Sequence, residues 1–112
     1  MFKKITREEL KAKRDRGETF HLVNVLSHEA FDRQHIPGSA NVPLPDLEER
    51  APTIFGKADE IIVYCSSFDC SASPTAAAIL DRLGFTNVAD FEGGMRDWAE
   101  AGYPVAFARK AA

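Results

Sequence analysis

The sequence contains little cysteine and no long hydrophobic run. Its 112 residues include only two cysteines, Cys65 and Cys70, and they are close together. Two cysteines do not make the disulfide framework of a small secreted protein, and in a reducing compartment such a pair is more typical of catalytic or redox chemistry. No stretch approaches the roughly 20 apolar residues that span a bilayer, and the N-terminus lacks the apolar core of a signal peptide. We therefore expect a cytoplasmic protein that does not enter a membrane.

An excess of charge of one sign is also missing. The 14 basic and 17 acidic side chains give a net charge of −3 at pH 7, so neither nucleic acid nor an anionic membrane is expected as a partner. The cysteines and the three histidines do not follow a four-ligand spacing, so we predict no metal site and no cofactor. The length and a hydrophobic content of 45% fit one globular domain.

The middle of the chain predicts a strand, a small-residue loop and a helix. Residues 61–64 are β-branched or aromatic, which is typical of a buried parallel strand, and this strand ends at Cys65. Ser73 and Pro74 are predicted to be the N-cap and the first helical position, and Gly84 ends the helix. Backbone N–H groups and the helix dipole stabilise an anion at such a junction, so we expect them to favour the Cys65 thiolate.

Strands and helices alternate along the rest of the chain. Thr6 begins a capping-box pattern for a first helix that Gly17 ends. This alternation predicts an α/β domain with a small, mostly parallel β-sheet flanked by helices on both faces. The single domain covers residues 1–112, with a C-terminal tail from about residue 106. The other predicted elements are a strand at 21–26, a helical turn at 27–31, a short strand at 40–42, a short helix at 45–50, a loop at 52–59, a strand at 87–91 and a helix at 95–100.

Three blocks of sequence occur in a characteristic order. They are HIPGSANVP at 35–43, the strand ending in Tyr64-Cys65 with its alanine-rich helix, and FEGGMRDW at 91–98. Together they resemble the rhodanese-like family over nearly the whole chain. The resemblance implies a small α/β sheet and a sulfurtransferase whose cysteine at the strand end takes sulfane sulfur from a donor as a persulfide. By that resemblance Cys65 is the catalytic nucleophile.

The loop after Cys65 departs from the family pattern in length and charge. The usual six-residue loop commonly carries arginines, whereas here the helix start at Ser73 lies two residues further on. No lysine or arginine occurs between Lys57 and Arg82. We therefore expect weak use of thiosulfate, a preference for a persulfide or polysulfide donor, and a thiol acceptor that is a small molecule or a protein. The predicted substrate-binding loop comprises Ser66, Ser67, Phe68, Asp69, Ser71, Ala72 and Ser73.

Two questions stay open at this point. Cys70 is a candidate resolving thiol that attacks the Cys65 persulfide, forms an intramolecular disulfide and releases sulfide, or else it only fills the loop. Related domains with a longer loop act on larger oxyanions, so an arsenate reductase or phosphatase-like enzyme is an alternative function, although the missing arginine argues against it. A non-catalytic rhodanese-like binding module is a further alternative, which the presence of Cys65 disfavours.

Overall fold

The computed structural model describes residues 1–108 of the chain. Among these residues no helix is long and apolar enough to cross a membrane. Short strands and helices alternate from one end of this region to the other. In chain order they are β1 (Lys3–Lys4), α1 (Arg7–Asp15), β2 (His21–Asn24), α2 (His28–Arg33), β3 (Ala40–Asn41), α3 (Leu44–Ile54), β4 (Glu60–Tyr64), α4 (Ala72–Arg82), β5 (Asn87–Phe91) and α5 (Gly94–Glu100).

The strands form one parallel sheet with β4 at its centre. The strand order is β1-β5-β4-β2-β3, and every neighbouring pair is parallel. Tyr64, the last residue of β4, is in register with Asn24 on one side and Phe91 on the other. Because parallel strands end at the same edge, the loop after β4 lies beside the ends of β2 and β5. The predicted parallel α/β sheet is confirmed.

Alternate residues of β4 face opposite layers of helices, because successive side chains of a strand point to opposite faces. Ile61 and Val63 belong to one buried cluster, which also contains residues of α3 and α4. Ile62 and Tyr64 belong to a second cluster, with residues of α1 and α5. Both clusters are inaccessible to solvent at their centres. Cys65 continues the first cluster, so the thiol lies on the α3 and α4 side of the sheet.

Helix α3 extends beyond the predicted short helix. The interval from Pro52 to Ile54 was expected to belong to a loop, but it forms the last part of the helix. Pro52 lacks the N–H that a helix interior uses, yet the Phe55 N–H still donates to the Ala51 carbonyl at 3.0 Å. Leu47 and Ala51 are fully buried against the sheet. Tertiary packing of this face therefore outweighs the local signal of the proline.

Helix α4 begins one residue before its predicted N-cap. The Thr75 N–H donates to the Ser71 carbonyl at 3.2 Å, which brings Ala72 into the helix. Ser73 was predicted to cap this helix, and that prediction is wrong because Ser73 lies inside the helix and is fully buried. The predicted end is confirmed, because Gly84 follows the helix with a φ of +96°.

Backbone hydrogen bonds join both ends of the described region to the rest of the fold. Strand β1 was not predicted from the sequence, since two exposed lysines carry no strand pattern, and it forms only through pairing with β5. Ala106 makes an antiparallel bridge with His35, and the Ala108 N–H donates to the Asp32 carbonyl at 2.8 Å. The rest of the predicted tail, 109–112, lies outside the described residues.

Candidate active site

Cys65 follows the central strand directly and faces the first turn of α4. The Ser73 N–H donates to Cys65 Sγ at 3.4 Å, so one free amide of the helix N-terminus is directed at the sulfur. The sulfur also lies 3.6 Å from the Cys70 carbonyl oxygen, to which the thiol donates. Cys65 is completely buried. The thiol is therefore enclosed by the loop and the first turn of α4.

The electrostatics of this enclosed thiol differ from the expectation. The junction was expected to favour the thiolate, but the pKa of Cys65 is raised above its ordinary value. Burial is the main cause, because it disfavours the charged form, and the neighbouring Cys70 thiol adds to it. The Ser73 hydroxyl and N–H act in the opposite direction and are outweighed. Burial of Cys65 therefore favours the protonated thiol over the thiolate.

Cys70 is the more accessible and more acidic of the two thiols. It is partly exposed, and both cysteines are free. Burial raises the pKa of Cys70, but the Cys65 thiol and the backbone of Ser66 and Ala72 lower it by more, so the net shift is downward. The Cys70 N–H donates to the Ser67 carbonyl at 3.0 Å, which turns the loop back toward Cys65. The structure thus brings the backbone of Cys70 into contact with the Cys65 sulfur.

The start of the loop is fixed by the N-terminus of α5. The Met95 and Arg96 N–H groups donate to the carbonyls of Cys65 and Ser66, each at 2.9 Å. Gly94 makes this approach feasible, because a Cβ there would lie 2.5 Å from the Cys65 carbonyl oxygen, and its φ is +66°. Gly94, the first residue of α5, therefore allows the close backbone packing that positions Cys65.

Residues 35–43, the first of the three sequence blocks, contact the end of β4 at the same edge of the sheet. The Tyr64 hydroxyl accepts a hydrogen bond from the Ile36 N–H at 3.0 Å and lies 2.8 Å from Ser39 Oγ. His35 stacks on Phe31 with ring centroids 3.8 Å apart, and its Nδ1 lies 2.7 Å from the Phe31 carbonyl oxygen. The histidine is thus occupied by local contacts that organise the segment.

The outer part of the loop is exposed, and most of the charged side chains around it are acidic. Phe68 is 65% exposed, and Asp69 also lies at the surface. With Ser67 and α5 they line a cavity of about 210 Å³, to which Asp97 and Glu100 contribute carboxylates. Arg96 is the cation in this lining. Asp97 is paired with Arg7 at 3.0 Å and Glu100 with Arg96 at 3.1 Å, so Asp69 is the carboxylate of this lining without an ion pair among the described residues.

Two arginines line a second groove beside the loop, and one of them, Arg96, also lines the cavity beside Phe68. Arg33 and Arg96 line a groove of about 360 Å³ together with Ser66. Arg96 Nε also donates to Glu100 Oε1 at 3.1 Å, which neutralises part of its charge. Both arginines are exposed, whereas the Cys65 sulfur is buried. The structure therefore places the nearest cations at the rim of the loop.

The sequence analysis missed Asp90 near the end of β5. Its carboxyl group is fully buried, and neither oxygen has a hydrogen-bond partner within residues 1–108. The Ser73 hydroxyl, also fully buried, likewise has no partner there. The one available signal was an aspartate within the otherwise apolar strand Val88–Phe91. Within the same described part of the chain, no group of three or more histidine, cysteine or acidic side chains is arranged to hold a metal ion.

Comparison with known proteins agrees with this architecture. The sequence model of one family, described as the rhodanese-like domain, matches residues 6–101. The thiosulfate sulfurtransferase GlpE of Pseudomonas savastanoi is 32% identical over 106 residues, which cover 92% of this chain and 92% of that protein. The HTH-type transcriptional regulator Rv0324 of Mycobacterium tuberculosis is 39% identical over 101 residues, 90% of this chain. The chain spans only 43% of that regulator's length.

A solved structure shows the same fold. The crystal structure of the Alr3790 protein from Anabaena superposes with a TM-score of 0.87 and 27% sequence identity. The match covers 95% of this chain and 94% of that one. The likeness therefore extends over nearly the whole length of both chains.

Proposed function

Because the chain belongs to the rhodanese-like domain family, a family with sulfurtransferase members, we propose that it moves sulfane sulfur through a persulfide on Cys65. One observation carries the proposal. Cys65 ends the central strand with its sulfur 3.4 Å from the Ser73 N–H at the start of α4. A helix N-terminus stabilises the thiolate that attacks and the persulfide anion that forms.

The chemistry follows thiol–disulfide exchange. The Cys65 thiolate attacks the outer sulfur of a donor R–S–SH, an S–S bond forms to Cys65, and the donor's own S–S bond breaks to release RS⁻. An acceptor thiolate then attacks the outer sulfur of the Cys65 persulfide and takes it, which restores the Cys65 thiolate. No net oxidation occurs, because the sulfane sulfur passes from one thiol to another. The acceptor is a small thiol or a cysteine of a partner protein.

The charges around the loop favour a donor of low charge. Thiosulfate is a dianion, and the cavity beside Phe68 carries three carboxylates, those of Asp69, Asp97 and Glu100. Two unit charges 4 Å apart interact by about 4 kcal/mol at the effective dielectric constant typical of a protein surface. Arg7 is paired with Asp97 and Arg96 with Glu100, so Asp69 is the carboxylate of this cavity without an ion pair among the described residues. We therefore propose a persulfide or polysulfide as the preferred donor and thiosulfate as a poor one.

Cys70 is proposed as a resolving thiol for the Cys65 persulfide. Its sulfur attacks Cys65 Sγ, an intramolecular disulfide forms, and hydrosulfide leaves, so both cysteines are oxidised as the sulfane sulfur is reduced. A low-molecular-weight thiol then reduces the disulfide in two exchange steps. Three features support this role, namely the partial exposure of Cys70, its lowered pKa and the contact of its backbone carbonyl oxygen with Cys65 Sγ at 3.6 Å. Without an acceptor thiol, this reaction limits the lifetime of the persulfide.

Intact-protein mass spectrometry tests these assignments. The wild type, Cys65→Ser and Cys70→Ser are incubated with thiosulfate and, separately, with a low-molecular-weight persulfide. We expect the wild type and Cys70→Ser to gain one sulfur atom from the persulfide, and Cys65→Ser to gain none. The adduct should persist longer in Cys70→Ser than in the wild type.

The other outcomes of this experiment are equally informative. No sulfur uptake by any variant from either donor would contradict the persulfide mechanism and favour a binding module. Faster loading from thiosulfate than from the persulfide would contradict the argument from charge. Equal adduct lifetimes in the wild type and in Cys70→Ser, with no disulfide found by peptide mapping, would contradict the resolving role.

A further inference from the structure

The groove of about 360 Å³ beside the active-site loop is formed mainly by α2 and α5. Ala30 and Arg33 of α2 are three positions apart, and Met95 and Ala99 of α5 are four positions apart. Residues at these spacings share one face of a helix, so each helix lines the groove with a single face. Ser66, the residue that follows the proposed nucleophile, also lines it. The groove therefore reaches to within one residue of that nucleophile.

The more buried residues of this groove are apolar, and its exposed residues are mostly polar. The buried or partly buried apolar members are Leu26, Ala30, Met95 and Ala99. The two arginines, Gln34 and Glu100 are exposed. Sites for small molecules have volumes of about 300–1,000 Å³ and an apolar lining with a few polar groups that fix orientation. The groove therefore fits a small organic molecule with a short apolar body.

The charges of the groove are complementary to one negative group. Its lining has two arginines and one glutamate, so two positive charges and one negative charge leave a net charge of +1. Arg96 and Glu100 pair with each other at 3.1 Å. Arg33 makes no ion pair within residues 1–108, although Glu29 and Asp32 line a neighbouring cavity with it. A guanidinium group matches the two oxygens of a carboxylate, so Arg33 is suited to bind one.

We propose that this groove binds the body of a small thiol that carries a carboxylate, and that Arg33 selects this thiol. The donor R–S–SH and the acceptor R–SH share the body R, so one site serves both halves of the exchange. The apolar part of R packs on Met95 and Ala99, its carboxylate accepts hydrogen bonds from Arg33, and its sulfur faces the loop at Ser66. The groove adds no chemical step, because it only binds and orients the thiol. The inference rests on the proposed function in taking a thiol and its persulfide as the reaction partners.

Two acceptor thiols that differ in one group test the selection. N-Acetylcysteine has a carboxylate where N-acetylcysteine amide has a neutral carboxamide. Each thiol is mixed with protein that carries a persulfide on Cys65, in a Cys70→Ser background so that no second protein thiol competes. Loss of the extra sulfur atom is followed by mass spectrometry. Saturation kinetics should show the preference for the carboxylate in KM, because Arg33 contributes binding and no chemistry.

Arg33→Gln and a matched control separate this contact from a general change of charge. Arg50 is an exposed arginine of α3 that lines neither this groove nor the cavity beside Phe68, so Arg50→Gln is the control. The ratio of kcat/KM for N-acetylcysteine to that for its amide should fall about three- to tenfold in Arg33→Gln, as expected for an exposed charged pair. Arg50→Gln should keep the wild-type ratio. Arg33→Lys should recover part of the ratio, because it keeps the charge and loses the planar fork. Equal ratios in Arg33→Gln and Arg50→Gln would overturn the proposal.

Binding is measured without sulfur transfer by using N-acetyl-S-methylcysteine and its amide, which have no free thiol. In NMR spectra of ¹⁵N-labelled wild type, the carboxylate probe should shift the amide signals of Ser66, Ala30 and Ala99 and should bind more tightly than the amide probe. Salt at 1 M should reduce this difference, because it shortens the Debye length to about 3 Å. Equal binding of the two probes, or shifts confined to the cavity beside Phe68, would overturn the proposal. This comparison needs no variant, and thermal melting shows whether Arg33→Gln is folded.

Failure of this proposal and failure of the proposed function are distinguishable. Binding of the carboxylate probe that depends on Arg33, with no persulfide found on Cys65, would support the groove and contradict the sulfur-transfer reaction. Sulfur transfer from Cys65 with the same ratio in Arg33→Gln as in Arg50→Gln would support the reaction and overturn the groove.

Discussion

Replacement of Gly94 by alanine tests how closely the loop is built onto α5. Gly94 has a φ of +66°, and a Cβ at this position would lie 2.5 Å from the Cys65 carbonyl oxygen and 2.8 Å from the Ser67 nitrogen. Gly17 is the matched control, because its φ is +69° and nothing lies within 4 Å of the corresponding Cβ. The two substitutions therefore share the backbone strain and differ in the clash.

The magnitudes follow from these two contributions. A non-glycine residue in the left-handed region costs roughly 1–2 kcal/mol, which we expect for Gly17→Ala. Overpacking against backbone that is fixed by hydrogen bonds costs roughly a further 1–3 kcal/mol, so Gly94→Ala should lose about 2–5 kcal/mol of unfolding free energy. Since 1 kcal/mol corresponds to roughly 4–8 °C in a small domain, its melting temperature should lie at least about 4 °C below that of Gly17→Ala.

Calorimetric melting of both variants measures the difference, and alkylation of Cys65 reports on the loop. Gly94→Ala should expose Cys65 and accelerate its alkylation at fixed pH, because the added methyl group displaces the carbonyl that Met95 holds at 2.9 Å. Gly17→Ala should leave the alkylation rate unchanged. Equal melting temperatures for the two variants would refute the argument that close backbone packing against α5 positions the thiol.

Two further predictions concern buried polar groups. Tyr64→Phe removes the hydroxyl that accepts from the Ile36 N–H and should destabilise the protein by roughly 1–3 kcal/mol in denaturant unfolding; a loss below about 0.5 kcal/mol would contradict this role. Because burial raises the pKa of Asp90 above 3.8, its contribution to stability is fully present below that pH and is lost as pH rises through the folded-state pKa. The unfolding free energy of the wild type should therefore fall relative to that of Asp90→Asn above about pH 4, and a constant difference across the range would contradict the shift.

The secondary structure near the site was largely predictable because its signals are local. A few neighbouring residues are enough to recognise each of three features, namely the apolar run before Cys65, the capping box at Thr6 and the glycine after α4. Predictions failed where a distant contact decides the conformation. Pro52 lies within α3 because the buried face of that helix is anchored to the sheet, and β1 exists only because β5 pairs with it.

The assembly of the site was less predictable, because chain order does not reveal which side chains share a buried face. Placement of Cys65 at the end of the central strand was predicted, and so was its proximity to Cys70 in the loop. The burial of the thiol was not, and burial reverses the expected direction of its pKa shift. Ser73 was predicted to be a cap, but its side chain points inward and its N–H contacts the sulfur.

The sequence by itself determined an alternating α/β chain in which a cysteine stands between a strand and a helix. It also determined that the loop after this cysteine carries no basic side chain. Only the tertiary structure decided that the loop closes over Cys65 and that Asp90 is buried. The physical reason is that β5 and α4 meet at this edge only when the sheet has formed. Sheet pairing and helix packing then bury Asp90 and bring the Ser73 N–H to the sulfur of Cys65.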